Sequence, residues 1–348
     1  MYSALYYGNK DIRIIEKDIP KIGAGEILIK VEASGICGSD VIEWYRRDKV
    51  PLVLGHEVTG VIADAGKDVT GHKVGDRVCV AHHVPCNTCK YCIDGHQTMC
   101  ETLRSTNFDP GGFSEFLRLS KINVKNGIYL LPDSVGFEEG TFVEPLACVV
   151  RGQRLAGVKP GDTVVVIGSG LAGLLHISLL KATGVTRIIA TDINEKRLDY
   201  AKKFGADYVF NAGNKDLNLS ETVKEISDGF LADVVILATG AGSAILQGLK
   251  SARRGGIVLF FGAADEGAML PLSINEIFWR TEITLVSSYA GSILDHRLAL
   301  EFIRTNRINV KDMISERLPM RDIARGFELT AKAQDSLKII IKPDRLDA

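Results

Sequence analysis

The sequence shows no excess of either charge. Its 348 residues carry 42 Lys and Arg against 43 Asp and Glu, a formal net charge of -1. Nucleic-acid binders ordinarily show a basic surplus, so that partner class is not expected. Long apolar runs are missing as well. The most apolar stretch, 164–180, is interrupted by three glycines, two serines and a histidine, which does not suit a membrane-spanning helix. Residues 1–5 (Met-Tyr-Ser-Ala-Leu) bring no basic leader and no apolar core of a secretory segment, so a cytoplasmic protein without a membrane partner is expected. There are no internal repeats and no low-complexity tract. Hydrophobic residues make up 46% and charged ones 24%, which excludes disordered, collagen-like and disulfide-miniprotein classes. The length suits two domains.

Cysteine is present in an odd number, seven, and four of the seven fall within residues 86–100. Without an export signal, such crowding reads as metal binding rather than as disulfides. Cys86-x2-Cys89-x2-Cys92-x7-Cys100 fits a tetrathiolate zinc site with every position filled, hence structural. An iron–sulfur cluster is the competing reading, but its ligand run usually has a shorter last gap and a following Pro, where this chain has Glu101. Cys79 and Cys148 read as ordinary core thiols.

The two halves of the chain follow different patterns. Residues 1–153 are short alternating runs broken by Gly and Pro, such as 25–32, 60–62 and 75–80, and predict an all-β, barrel-like domain. Residues 154–290 alternate strand and helix. Strands are expected at 163–167, 187–191, 208–210, 233–237, 257–261 and 282–287, and helices at 171–182, 195–204, 219–226, 244–252 and 274–279. That alternation predicts a doubly wound parallel sheet, so the fold class is α/β plus β. Residues 291–348, with helices at 296–305 and 323–333 and a last strand at 337–342, are expected to rejoin the first domain.

Within the second half, 164–173 (Val-Val-Val-Ile-Gly-Ser-Gly-Leu-Ala-Gly) is a strand running into GxGxxG and an apolar helix. Gly168 makes the turn, Gly170 admits a pyrophosphate, and Gly173 lets the helix pack on the strand. Asp192 follows at the end of the next strand, where a carboxylate meets the ribose 2′-hydroxyl. It favours NAD over NADP, tempered by Arg197. The competing reading is a glycine turn closing an α/β unit with no ligand. In the first half, Cys37 lies between glycines, His56 and Glu57 follow in Gly-His-Glu, and Glu144 opens Glu-Pro-Leu. A thiolate, an imidazole and a carboxylate leave a position open for water or an alcohol, as catalytic zinc requires.

These motifs, with 111–116 (Gly-Gly-Phe-Ser-Glu-Phe), resemble the zinc-dependent medium-chain dehydrogenases over essentially the whole length, and within them the sorbitol (polyol) and threonine dehydrogenase branch. The resemblance implies a GroES-like β-barrel catalytic domain and a Rossmann domain, two zinc ions per chain, NAD, a hydroxylated small-molecule substrate, and a homotetramer or homodimer. Carried over residue by residue, Cys37 and His56 bind the catalytic zinc. Glu57 and Glu144 supply the remaining carboxylates, one directly and one directly or through water. Ser39 bonds the substrate hydroxyl and receives its proton, and Asp40 orients His56. Gly168, Gly170, Leu171, Ala172, Gly173, Asp192, Arg197, Thr239, Gly262, Ala263 and Ser287 match cofactor-binding positions.

The chain departs from the family in places. Ile42 replaces the usual proton-relaying His, Ser288-Tyr289 replaces an Arg-Tyr pair, and Glu43 stands where a substrate-facing Tyr is usual. Glu43, His83 and Tyr289 are therefore the substrate-pocket candidates. Glu144-Pro145-Leu146 favours the polyol side, and His83 the threonine side. The expected function is hydride transfer from a secondary alcohol of a polyol, sugar alcohol or cyclitol to NAD. The alternatives are a threonine-type amino-alcohol 3-dehydrogenase and, outside the enzymes, a non-catalytic NAD-binding relative.

Overall fold

A computed structural model describes residues 1–343. The chain divides into two compact units, one built from Met1–Ala147 and the stretch from Ala290 onward, the other from Cys148–Tyr289.

In the first unit the antiparallel pair Ile27–Gly35 and Glu57–Ala65 is the spine. Period-two alternation sends Ile27, Ile29 and Val31 to one face, where they pack with Val58, Ile62 and Val78 in one core cluster. Each such side chain contributes roughly 1.5–3 kcal/mol by burial. The final strand, Lys338–Lys342, joins the same sheet antiparallel to Ile27–Gly35, with Ile340 opposite Gly35 and Ile341 opposite Ser34. On its other side it pairs in parallel with Ile314–Pro319. An N-terminal hairpin, Tyr2–Gly8 with Asp11–Glu16, belongs to a separate three-stranded sheet completed by Leu52–Val53.

The second unit is a six-stranded parallel sheet in the order Tyr208–Asn211, Arg187–Asp192, Thr163–Ile167, Ala232–Leu237, Ala252–Phe260, Thr284–Ser287. Thr163–Ile167 is central and wholly buried, as a β-branched run covered on both faces should be. The order of connection reverses at this strand, so its C-terminal end is the switch point where doubly wound sheets bind ligands. The strand at 163–167 and the helices Glu195–Phe204 and Leu219–Ile226 have the expected bounds. The helix expected to reach 252 stops at Lys250, because Ala252 already opens a strand opposite Ala232, five residues ahead of the expected start at 257. A register irregularity there and Gly255 at φ +68° hide that strand from a period-two reading. Cys148 is half-buried rather than a core thiol, whereas Cys79 is buried. Among the described residues no helix is long and apolar enough to cross a membrane.

Candidate active site

Register builds the first site. Gly35 pairs with Glu57 across the central strands, which puts Cys37 two residues past one strand end and His56 just before the other. One donor atom from each of Cys37, His56 and Glu57 lies within 4.8 Å of the other two. Gly35 leaves the room: a Cβ there would overlap the Glu57 carboxylate and press on the Lys338 side chain. Cys37 caps the short turn Gly38–Val41, its sulfur accepting from the Ser39 N–H at 3.5 Å and the Ser39 hydroxyl at 3.4 Å.

Behind these donors stands a layer of charge. Asp40 is fully buried; it accepts from the Cys37 N–H at 3.0 Å and faces His56 Nδ1 at 3.4 Å, which leaves Nε2 as that ring's outward donor. Burial acts to lower the pKa of His56, but the carboxylate of Asp40 and the thiolate of Cys37 outweigh it and raise it well above the usual histidine value. Burial likewise acts to raise Asp40, and the charges of His56 and Arg46 hold it below the ordinary carboxylate range. Arg46 Nη2 also reaches the Ser39 carbonyl at 3.2 Å and the Ser39 hydroxyl at 3.5 Å. Lys338, itself completely buried, forms an ion pair with Glu57 Oε2 and donates to the Ile36 carbonyl at 3.2 Å. Glu57 Oε1 is buried without a hydrogen-bond partner. A soft sulfur, an imidazole and an orphaned carboxylate oxygen converge here, and this donor set fits zinc.

The second cluster is Cys86, Cys89, Cys92 and Cys100, whose sulfurs stand 3.6 Å (Cys89–Cys92 and Cys86–Cys100) and 4.0 Å (Cys86–Cys92) apart. The Thr88 hydroxyl and N–H and the Cys89 N–H point at the Cys86 sulfur and pull its pKa down to about 5. Burial pushes Cys92 up to about 12. Apart from the thiols, Leu103 is the one buried apolar residue of the lobe's cluster, so a bound metal would replace the core that the loop lacks.

In the other unit Gly168 turns at φ +93°, and Gly170 caps the helix Leu171–Thr183. A Cβ on Gly173 would overlap the Gly168 carbonyl, whereas one on Gly170 would meet nothing nearer than Arg197 Nη1 at 3.9 Å. The Gly170 backbone is thus open to approach, beside the free N–H groups of a helix start. Asp192 ends its strand with Oδ2 accepting from the Ser169 N–H at 2.8 Å and Oδ1 from the Asn194 N–H at 2.9 Å. Arg197 lies 3.9 Å away. Gly240 and Gly262 have no room for side chains, because the loops at 239–240 and 262–264 pack backbone to backbone. This cradle fits a dinucleotide.

Residues 23–132 match the family model of the alcohol dehydrogenase GroES-like domain, and 172–305 that of the zinc-binding dehydrogenases. A probable D-xylulose reductase A of Neosartorya fischeri is 34% identical over 96% of this chain and 94% of its own. The sorbitol dehydrogenase of Ovis aries is 32% identical over 99% and 97%. A crystal structure of an Escherichia coli oxidoreductase of unknown specificity superposes with a TM-score of 0.88, at 30% identity and 98% coverage of both chains. The chain belongs to the zinc-dependent medium-chain dehydrogenases.

The dehydrogenase is thus an oxidoreductase of the zinc- and nicotinamide-dependent kind, with the GroES-like and Rossmann folds expected. Its remaining candidate residues fall as follows. Glu144 is not in the Cys37–His56–Glu57 group; it lies in the first turn of the helix Val143–Leu155, lining a small cavity with Tyr129, Thr141 and His296. Glu43 accepts from the Asn9 N–H at 2.9 Å. His83 reaches the Thr106 carbonyl through Nδ1 at 2.8 Å. Thr239 Oγ1 accepts from the Ala241 N–H, Ser287 ends the edge strand opposite Phe260, and Tyr289 is exposed. Sequence reasoning missed three neighbours of the site. His82 packs between His56 (4.9 Å between ring centres) and His83 (3.8 Å). Arg46 had one signal, a basic residue closing a one-turn helix just after Ser39. Lys338 had none, being 281 residues from its partner.

Proposed function

We propose that the dehydrogenase oxidises a secondary alcohol of a polyhydroxylated small molecule, with NAD taking the hydride. Cys37, His56 through Nε2, and Glu57 or Glu144 would hold the catalytic zinc, and the four cysteines of the lobe a structural one. When bound, the zinc supplies a Lewis acid that acidifies the substrate hydroxyl, and the nicotinamide supplies the hydride acceptor. Ser39 orients the hydroxyl and accepts its proton, and Asp40 holds the His56 ring in the required orientation. Asp192 recognises the ribose 2′-hydroxyl and repels a 2′-phosphate, hence NAD rather than NADP. The observation that carries this reading is the meeting of Cys37, His56 and Glu57 beside the Ser39 hydroxyl. Relatives named for xylulose and sorbitol support the substrate class.

NADH formation with a panel of polyols, cyclitols and threonine, with and without a chelator, tests the reading. Chelator-sensitive turnover of a polyol is expected, and no turnover on any hydroxylated compound contradicts it. The packing of His83 against His82, next to His56, favours a second reading, a threonine-type dehydrogenase. A threonine-to-polyol ratio of kcat/KM above one that collapses in His83→Asn would select it. We place the protein in the cytoplasm as a homodimer or homotetramer. Its contact would be the edge strand Thr284–Ser287, and Trp279 and Ile274, shortly before it in the chain, are exposed.

A further inference from the structure

We propose that Arg46 forms a carboxylate-binding position beside the reacting hydroxyl, so that the substrate is a hydroxylated acid rather than a neutral polyol. This rests on the function proposed above and narrows its substrate class. The guanidinium reaches back from the end of the helix Glu43–Arg46 to Ser39, the residue assigned to the substrate hydroxyl. All its hydrogen bonds use one nitrogen: Nη2 serves the Ser39 carbonyl, the Ser39 hydroxyl and Asp40 Oδ1. Nε is buried and, like Nη1, donates to no group among the described residues. A guanidinium carries five N–H donors in a fixed plane, so most of this one's capacity is unspent.

The local charge balance points the same way. Asp40, the one acid in contact with Arg46, is shared with His56 and the Cys37 N–H. Glu43 is committed to the Asn9 N–H. A second cation, Lys49, lies over the same Tyr45 ring as Arg46, at 4.2 Å and 4.7 Å from its centre. Arg46 thus lies against Ser39 with one shared carboxylate, and Lys49 adds a second positive charge on the neighbouring Tyr45 ring. A neutral hydroxyl would leave that charge unused. A carboxylate on a carbon close to the carbinol accepts from Nη1, the nitrogen that neither Ser39 nor Asp40 engages, and sets a second anion beside Arg46. The other oxyanion within the reaction is the cofactor's pyrophosphate, and the experiment separates the two.

The holoenzyme is assayed at saturating NAD with a hexitol, the aldonate of the same configuration, and threonine. The wild type is expected to give a higher kcat/KM for an acid than for the hexitol. Arg46→Met is expected to lower the acid-to-hexitol ratio of kcat/KM about 10- to 100-fold, mainly through KM for the acid, with Arg46→Lys recovering part of it. Equal losses for both substrates would overturn the proposal and leave Arg46 as a residue that only positions Ser39. A rise in KM for NAD with every substrate would overturn it in favour of the pyrophosphate. Should Arg46→Met not fold, the wild type alone decides: malonate competing with the hexitol, where chloride of equal ionic strength does not, supports the position, and its failure to compete overturns it. Calorimetric binding of the aldonate separates this claim from the reading of the reaction. Arg46-dependent binding without turnover upholds the position and sinks the reaction, and hexitol turnover without such binding does the reverse.

Discussion

Lys338 illustrates what a residue contributes when its partner lies far away in sequence. Its ammonium is buried against Glu57, and removing one partner of a buried pair leaves an uncompensated charge. Lys338→Met should therefore cost about 3–5 kcal/mol in denaturant unfolding, while Lys338→Met combined with Glu57→Gln should recover a large part of it. Additive losses in the double variant would show that the pair is not coupled. Cys37, His56, Glu57 and Ser39 were legible because each sits in a short motif with a chemical reason for its residue types. Lys338 was not, because its partner lies 281 residues away, and Arg46 offered only the weak signal of a basic residue closing a one-turn helix. His176 is a further residue whose surroundings, not its neighbours in sequence, decide its behaviour. Burial in the helix Leu171–Thr183 pushes its pKa down to about 3, and Gln153 donates to its Nδ1 at 3.2 Å. Below pH 6.5 the unfolded chain gains a proton at this position that the folded chain refuses. Folding stability should thus fall as pH drops from about 6.5 towards 3 and be insensitive to this group above that range. Thermal midpoints across this range should show a shallower slope in His176→Gln; identical slopes would refute the assignment.

At the scale of elements, the loop 86–100 behaves as a unit whose stability is expected to come from metal. Cys92→Ser removes one of four thiolates and should lower zinc content from two ions per chain to one, with protease sensitivity appearing first in that loop. Unchanged zinc content, measured by atomic absorption, would contradict this. Regular elements with strong periodicity were legible to the residue: the central strand Thr163–Ile167 is an unbroken β-branched run, and Glu195–Phe204 has an Asn cap before it and a Gly after it. The strand Ala252–Phe260 was read short because Arg253, Arg254 and two glycines at its start mask a strand that pairs from Ala252. The strand Ile314–Pro319 was not anticipated, since its alternation carries Glu316 and Arg317 in the middle and its pairing with Lys338–Lys342 joins parts of the chain that no local pattern links.

For the whole molecule, the sheet edge at Thr284–Ser287 is the proposed contact between copies, so light scattering at micromolar concentration should give at least a dimer mass. A monomer there would refute the proposed contact, without touching the chemistry. The chemistry stands on zinc held by Cys37 and His56. Anomalous diffraction at the zinc edge, from crystals grown with zinc and NAD, tests that most directly. The account predicts two peaks per chain, one within bonding distance of Cys37 Sγ and His56 Nε2 and the other amid Cys86, Cys89, Cys92 and Cys100. A map with the second peak but none at Cys37 and His56 would contradict it.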